Sequence, residues 1–342
     1  GKLDDGKLAR AVGVTLAAEA DVFLTLAKFR AMRILWRQVL SASGLDPVPL
    51  RLHAETSWRM MTRYDVHTNL LRGLAACFAA GLGGADSIAV LPHTAVHGLA
   101  DGFARRMARN AQTILQAECG LHRVDDPVAG SAYADALTAE LASRAWSFFQ
   151  SIEAQGGIVA ALQTGFVRTA IAATATERRR RIARRDQPIL GTTVFAEPDD
   201  LAPDVSVQVA PAKSPWGARD AEVFESLRLA AGRLTEKPRV FIANLGPPAE
   251  HAAAAANLRS LLVLAGLPAV EGAGYATAAD AVAAFKTSGA TVAAVCASDA
   301  TRWKAIAVAA LEAAGARWVI DGPPHDALAF VKRLHAELGI GS

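Results

Sequence analysis

The sequence predicts an α/β protein of two domains, and three observations carry that prediction. At 342 residues the chain exceeds what a single core comfortably fills. Apolar residues make up 52% of it while aromatics make up only 6%, a balance rich in alanine and leucine that favours closely approaching helices over an all-β core. Short apolar runs alternate with helical patterns on both sides of a proline-punctuated stretch, the signature of repeated βα units.

The first such unit places a strand at 13–16 and a long helix at 21–40, with Asp21 as its cap. The second has an extended run at 49–53, a polar loop at 55–65 and a helix at 69–78 that ends at Gly81. In the third, a buried strand at 87–91 precedes a helix at 102–118. Three units cannot close an eight-stranded barrel, so they form either an open sheet or the latter part of something larger. Two long helices follow at 133–154 and 165–183, separated by the stop signal Gly156-Gly157.

The connector at 187–237 carries Pro188, Pro198, Pro203, Pro211 and Pro215 and one possible helix at 221–234. Domain boundaries are therefore expected at 1–186, 187–237 and 238–342. The last segment alternates strands at 240–243, 269–271, 292–297 and 318–320 with helices at 249–265, 277–287, 301–314 and 326–338, a small doubly wound domain.

Bulk chemistry excludes several classes. A formal net charge of +3 is too small to mark the whole chain as a nucleic-acid binder. Cys77, Cys119 and Cys296 are odd in number and widely spaced, which fits buried small hydrophobes in a reducing compartment. Neither a membrane span nor a signal peptide is visible, and a cytoplasmic location is expected.

Chemistry-bearing motifs are sparse. A ligand of the last domain belongs beyond its first strand, in the loop Asn244-Leu245-Gly246-Pro247-Pro248-Ala249-Glu250-His251. Two prolines remove N–H donors that a phosphate would need, so a dinucleotide is a poor fit. His251 has only Glu250 beside it as a possible co-ligand, and His93 and His97 flank a strand end without the glutamate of a zinc helix; all three are expected to be structural. The basic run at 177–185 reads as a solvated helix end rather than a phosphate site, and Asp125 and Asp126 as turn residues before Pro127. No catalytic, cofactor-binding or metal-binding residue emerges.

Two long segments carry a resemblance. FARRMARNAQTILQAE at 103–118 and RVDDPVAGSAY at 123–133, with FLTLAKFRAMR at 23–33 and GGADS at 83–87, resemble the coenzyme-B12-dependent acyl-CoA mutases, methylmalonyl-CoA mutase above all. The resemblance implies the C-terminal part of a (β/α)8 TIM-type barrel, then a linker, then a flavodoxin-like, cobalamin-binding-type domain. In that family the domain's first loop reads Lys-Met-Gly-Gln-Asp-x-His-x-x-Gly, the His being the lower cobalt ligand. Aligned on Ala243 and Gly246, this chain has Asn244 for Lys, Pro248 for Asp, Glu250 for His and Ala253 for Gly. Ser298 persists after the third strand, but Ala300 stands for Leu and Asp321-Gly322 for a Gly-Gly pair.

The loop TSWRMMTR at 56–63 resembles the small-subunit version of one that reads Thr-Ser-Gly-Trp-Ser-Leu-Thr in catalytic chains. The chain starts beyond the barrel strands that carry the family's catalytic tyrosine and histidine, and a fifth strand between Pro324 and Asp326 is missing, so pieces of the natural chain are expected to lie outside this sequence. What the resemblance implies is a non-catalytic small subunit that binds no cofactor itself and pairs, as a heterodimer, with a homologous large subunit carrying adenosylcobalamin. The alternatives are a cobalamin-dependent mutase with an unusual cofactor mode and a chaperone-like module for B12 enzymes.

Overall fold

A computed structural model describes residues 5–200, 202–203, 205–208, 217–272, 274–297, 303–322 and 324–341. The chain divides into two compact units, one of residues 1–176 and 202–219 and the other of residues 177–201 and 220–342.

Unit 1 begins with the short helix α1 (Asp5–Ala11) and then strand β1 (Gly13–Ala18), helix α2 (Val22–Ala42), β2 (Arg51–Thr56), α3 (Thr68–Leu82) and β3 (Ser87–Ala89). The three strands are parallel in the order β1-β2-β3, with Thr15 opposite His53 and His53 opposite Ser87. Asp21 caps α2 as expected, its carboxylate accepting from the Leu24 N–H at 3.0 Å. Helices α2 and α3 cover one face, where Phe29, Leu52, Ala54, Ala76 and Ala80 form a core. Gly83, which ends α3, is required there because a Cβ would lie 2.7 Å from that of Phe29.

On the other face Thr15, Ala17, Arg51, Ser87 and Ala89 are exposed. The expectation of a buried third strand is thus corrected: β3 is three residues long, pairs with β2 alone, and has both ends in solvent. Its short apolar run signalled a strand, but burial depends on neighbours that the run does not encode.

Strand β4 (Gly98–Leu99) leads into α4 (Gly102–Ala117), followed by α5 (Ala132–Glu153), α6 (Ile158–Gln163) and α7 (Phe166–Ala183). The first half of α5 packs on α2. Strand β5 (Val207–Gln208) pairs antiparallel with β4.

Unit 2 holds the end of α7, helix α8 (Glu222–Gly232) and a parallel sheet of β6 (Val240–Asn244), β7 (Ala269–Glu271), β8 (Val292–Cys296) and β9 (Trp318–Ile320), ordered β7-β6-β8-β9. Between the strands lie α9 (Pro248–Ala265), α10 (Ala278–Ser288) and α11 (Trp303–Ala313), with α12 (Ala327–Glu337) after β9. Every residue of β6 and β8 is buried, as parallel strands covered on both faces require. Leu258, Leu261, Leu262, Val331 and Leu334 fill one side, and Phe241, Ala281, Phe285 and Leu311 the other. Pro211, Pro215 and the predicted start of a helix at 301–302 lie outside the described residues.

Candidate functional site

In unit 2 the first strand, β6, has β7 on one side and β8 on the other, so the chain reverses direction across the sheet at β6. The loop that leaves β6 is where a ligand of such a sheet would sit. Its backbone is tied to its neighbours: Leu245 N–H donates to Cys296 O (2.9 Å), Gly246 N–H to Tyr275 O (3.1 Å), and Tyr275 N–H to Asn244 O (2.7 Å). Three backbone N–H donors and three carbonyl acceptors at this end of the sheet are thereby used internally.

The side chains are only partly paired, Asn244 Oδ1 being buried without a partner. Asn244, buried at the end of β6, donates through Nδ2 to Glu271 Oε2 (3.2 Å) and Gly272 O (3.1 Å). Glu271 also receives Arg259 at 2.8 and 3.0 Å, so the position where the family has lysine belongs to a structural ion-pair cluster. Pro247 is the N-cap of α9 and Pro248 its first residue, the position at which a missing N–H costs least. Glu250 is exposed and lies close over Gly246, where a Cβ would sit 2.9 Å from Oε2. Gly246 has φ +79°, so glycine is required on both counts.

His251 is buried, with 6% of its surface exposed, and neither ring nitrogen has a protein hydrogen-bond partner. A Cβ at Gly274 would lie 3.6 Å from its Nε2, so the ring sits beneath the loop after β7 and not over the open crevice. Ala253 is exposed. Ser298 and Ala300 lie outside the described residues; Asp321 is exposed after β9.

A crevice of about 450 Å³, counting its open mouth, runs between α9 and the ends of β8 and β9, lined by Leu258, Leu261, Cys296, Ile320 and, at its polar side, Asn257 and Lys304. Burial, with the Glu271 carboxylate adding to it, pushes the Cys296 thiol up to about 11, so it is a neutral apolar wall.

In unit 1 the C-terminal ends of the parallel strands are occupied by the protein's own polar groups. Arg59 pairs with Glu19, and Ser57 Oγ donates to Glu19 Oε1 at 3.3 Å. Thr56 Oγ1 accepts from the Leu91 N–H (2.8 Å). Asn69 is a hub: its Oδ1 accepts from Thr62 N (3.0 Å), Thr62 Oγ1 (3.1 Å) and Arg72 Nη1 (2.8 Å), while its Nδ2 donates to Thr62 O (2.9 Å) and His93 O (3.0 Å).

His93 and His97 do not converge. His93 stacks on His67, whereas His97 Nε2 is 2.7 Å from Arg63 O. Among the described residues no group of three or more His, Cys, Asp or Glu could hold a metal ion. Glu19 and Asn69 were not singled out in the sequence, because neither stands in a motif and only folding brings Glu19 to Arg59.

Asp126 and Asp135 both bind Arg30, and Arg33 ties Leu50 O, Gly84 O and Asp86. The family-like segments at 23–33, 83–87 and 123–133 thus meet through two arginines of α2. In the basic run Arg179, Arg180 and Arg181 are exposed near the end of α7, with Arg180 paired to Glu177, and Ile182 and Ala183 are buried. Of the cysteines, Cys77 and Cys296 are buried as expected, but Cys119 is exposed just past α4; a lone thiol after a helix end carries no burial signal.

The family model for methylmalonyl-CoA mutase matches residues 2–228. The chain belongs to the methylmalonyl-CoA mutase family. It is 46% identical over 311 residues to the methylmalonyl-CoA mutase small subunit of Streptomyces virginiae, covering 88% of this chain and 50% of that protein. It is 39% identical over 317 residues to the small subunit of Propionibacterium freudenreichii subsp. shermanii, covering 90% and 49%. A methylmalonyl-CoA mutase of Cereibacter sphaeroides is 33% identical over 216 residues, covering 62% and 30%. The chain spans about half the length of the small subunits it matches.

Proposed function

We propose that this chain is part of the non-catalytic small subunit of a heterodimeric, B12-dependent methylmalonyl-CoA mutase. Its role is to stabilise a homologous large subunit that binds adenosylcobalamin and interconverts methylmalonyl-CoA and succinyl-CoA. The observation that carries the reading is the loop after β6. Where the family holds a histidine poised for cobalt, this chain has the exposed carboxylate of Glu250, preceded by Pro248 in place of the aspartate that would orient the imidazole. The nearest histidine, His251, is buried beneath the loop after β7.

Cobalamin does not fit these residues as it fits the family's loop. A neutral imidazole held by an aspartate is replaced by a carboxylate with no such support. No step of a reaction is assigned to this chain. The carbon-skeleton chemistry belongs to the cofactor in the partner.

The finer architecture is part of the same reading. Unit 1, whose parallel sheet among the described residues is open at both edges and exposed on one face, is read as the latter part of a (β/α)8 barrel within residues 1–186; parallel sheets otherwise stay covered on both faces. Residues 187–237 are read as the linker, and residues 238–342 as a degenerate cobalamin-type domain of flavodoxin-like order. Three free thiols fit a cytoplasmic location, and among the described residues no helix is long and apolar enough to cross a membrane.

The test is reconstitution. The purified chain alone should show no mutase activity, and adding it to the large subunit should slow that subunit's thermal inactivation. Activity from the isolated chain would overturn the reading.

A further inference from the structure

The crevice between α9 and the ends of β8 and β9 belongs to unit 2 alone. Its floor is made of core side chains: Leu258, Leu261, Cys296 and Ile320 are each at most 5% exposed, yet all four line the opening. Such a floor is fixed before any ligand arrives. Ala254, Ala294, Ala297 and Gly322 stand on the walls, where larger side chains would close the space. At about 450 Å³, open mouth included, the crevice has the size of a small-molecule site, and its apolar floor gains by being covered.

The polar side chains on its wall are donors. Lys304 Nζ lies 3.5 Å from where a Cβ of Gly322 would sit, which sets the ammonium over the end of β9, and its charge acts on the Cys296 thiol at the floor. Among the described residues no carboxylate pairs with Lys304, and no aspartate or glutamate lines the crevice. Asn257 is oriented from outside: Arg185 Nη2 donates to its Oδ1 at 2.8 Å, so the amide keeps Nδ2 as a donor. Arg185 makes that contact from a left-handed conformation, φ +63°, which is costly for any residue but glycine.

An apolar floor beside one cation and one amide donor matches a ligand with a hydrocarbon or aromatic body that ends in a single carboxylate. A polyphosphate would need more than one lysine, and the N–H groups that Pro247 and Pro248 remove from the start of α9. We infer that this crevice binds a small amphipathic carboxylate, its body against Leu258, Leu261 and Ile320 and its carboxylate held by Lys304 Nζ and Asn257 Nδ2. The site is independent of the subunit reading, and its ligand is not cobalamin.

The experiment titrates the full chain with 1-naphthoate and follows the methyl NMR signals of Leu258, Leu261 and Ile320. Those signals are expected to shift and saturate together at a single site. Lys304→Gln should weaken binding at least about tenfold and Lys304→Arg only about twofold, while 1-naphthamide, which keeps the body and loses the charge, should bind at least about tenfold more weakly. Ala254→Trp, at an exposed position of α9, should block the mouth and abolish binding while the chain melts as before. The inference is overturned if the methyl signals do not saturate, or if naphthamide or the Lys304→Gln chain binds as tightly as the original pair. It is overturned too if the folded Ala254→Trp chain still binds, or if hydroxocobalamin displaces the naphthoate, since the crevice is then a cobalamin site.

Discussion

The imidazole of His93 is stacked on that of His67, with ring centroids 5.7 Å apart and ring planes 29° from parallel. His93 is 4% exposed, its Nδ1 has no protein partner, and the Phe103 ring lies perpendicular to it at 6.2 Å. Burial foremost, and the neighbouring His67, hold His93 below the ordinary histidine range, with Asp101 opposing them.

A pH dependence follows. The folded state prefers neutral His93, so the unfolded chain takes up this proton first as pH falls. Stability is therefore full above about pH 6.5 and declines below it, levelling off only beneath the lowered folded value. Urea unfolding at pH 7.5 and 5.5 should show the lower midpoint at 5.5, and His67→Asn should shrink the difference. An equal or larger difference in that variant would contradict the account.

Asn69 makes five hydrogen bonds in a buried setting, to Thr62, Arg72 and the His93 carbonyl. Asn69→Ala leaves several of these groups unpaired and should cost roughly 2–4 kcal/mol in equilibrium unfolding. Asn69→Asp, which keeps the shape but loses both donors, should also destabilise.

Gly246 combines a positive φ with the close carboxylate of Glu250. Gly246→Ala should cost about 1–2 kcal/mol from backbone strain alone. The combined variant with Glu250→Ala should recover only the steric part, because the backbone conformation is unchanged. Full recovery would show that the left-handed conformation is not what the glycine serves.

Thiol chemistry separates the cysteines. Cys119 is exposed, whereas burial pushes Cys77 and Cys296 up to about 11. An aromatic disulfide reagent at pH 8 should titrate one thiol rapidly in the native chain and all three in denaturant.

How far the sequence reached can be judged from particular residues. Asp21 caps its helix as the sequence implied, while the caps Asp101 and Asp326 were not singled out there, and the alternation of strand and helix in the last hundred residues was legible because each element has its own period. Ser87 and Ala89 were read as buried, since an apolar run does not report whether a neighbouring strand is present. That Glu250 stands where the resembling family's motif has histidine was legible in the sequence, whereas the burial of His251 beside Gly274 was not, because the loop after β7 comes from outside its own segment. The Asn69 hub and the Glu19–Arg59 pair join residues that no spacing links.

The central claim is that this chain lacks the means to hold the cofactor. The most direct test incubates the isolated full chain, and separately its complex with the large subunit, with adenosylcobalamin, passes each through gel filtration and records the visible spectrum. The account predicts a colourless isolated chain and a complex retaining roughly one cofactor per heterodimer. A cobalamin spectrum retained by the isolated chain would contradict it.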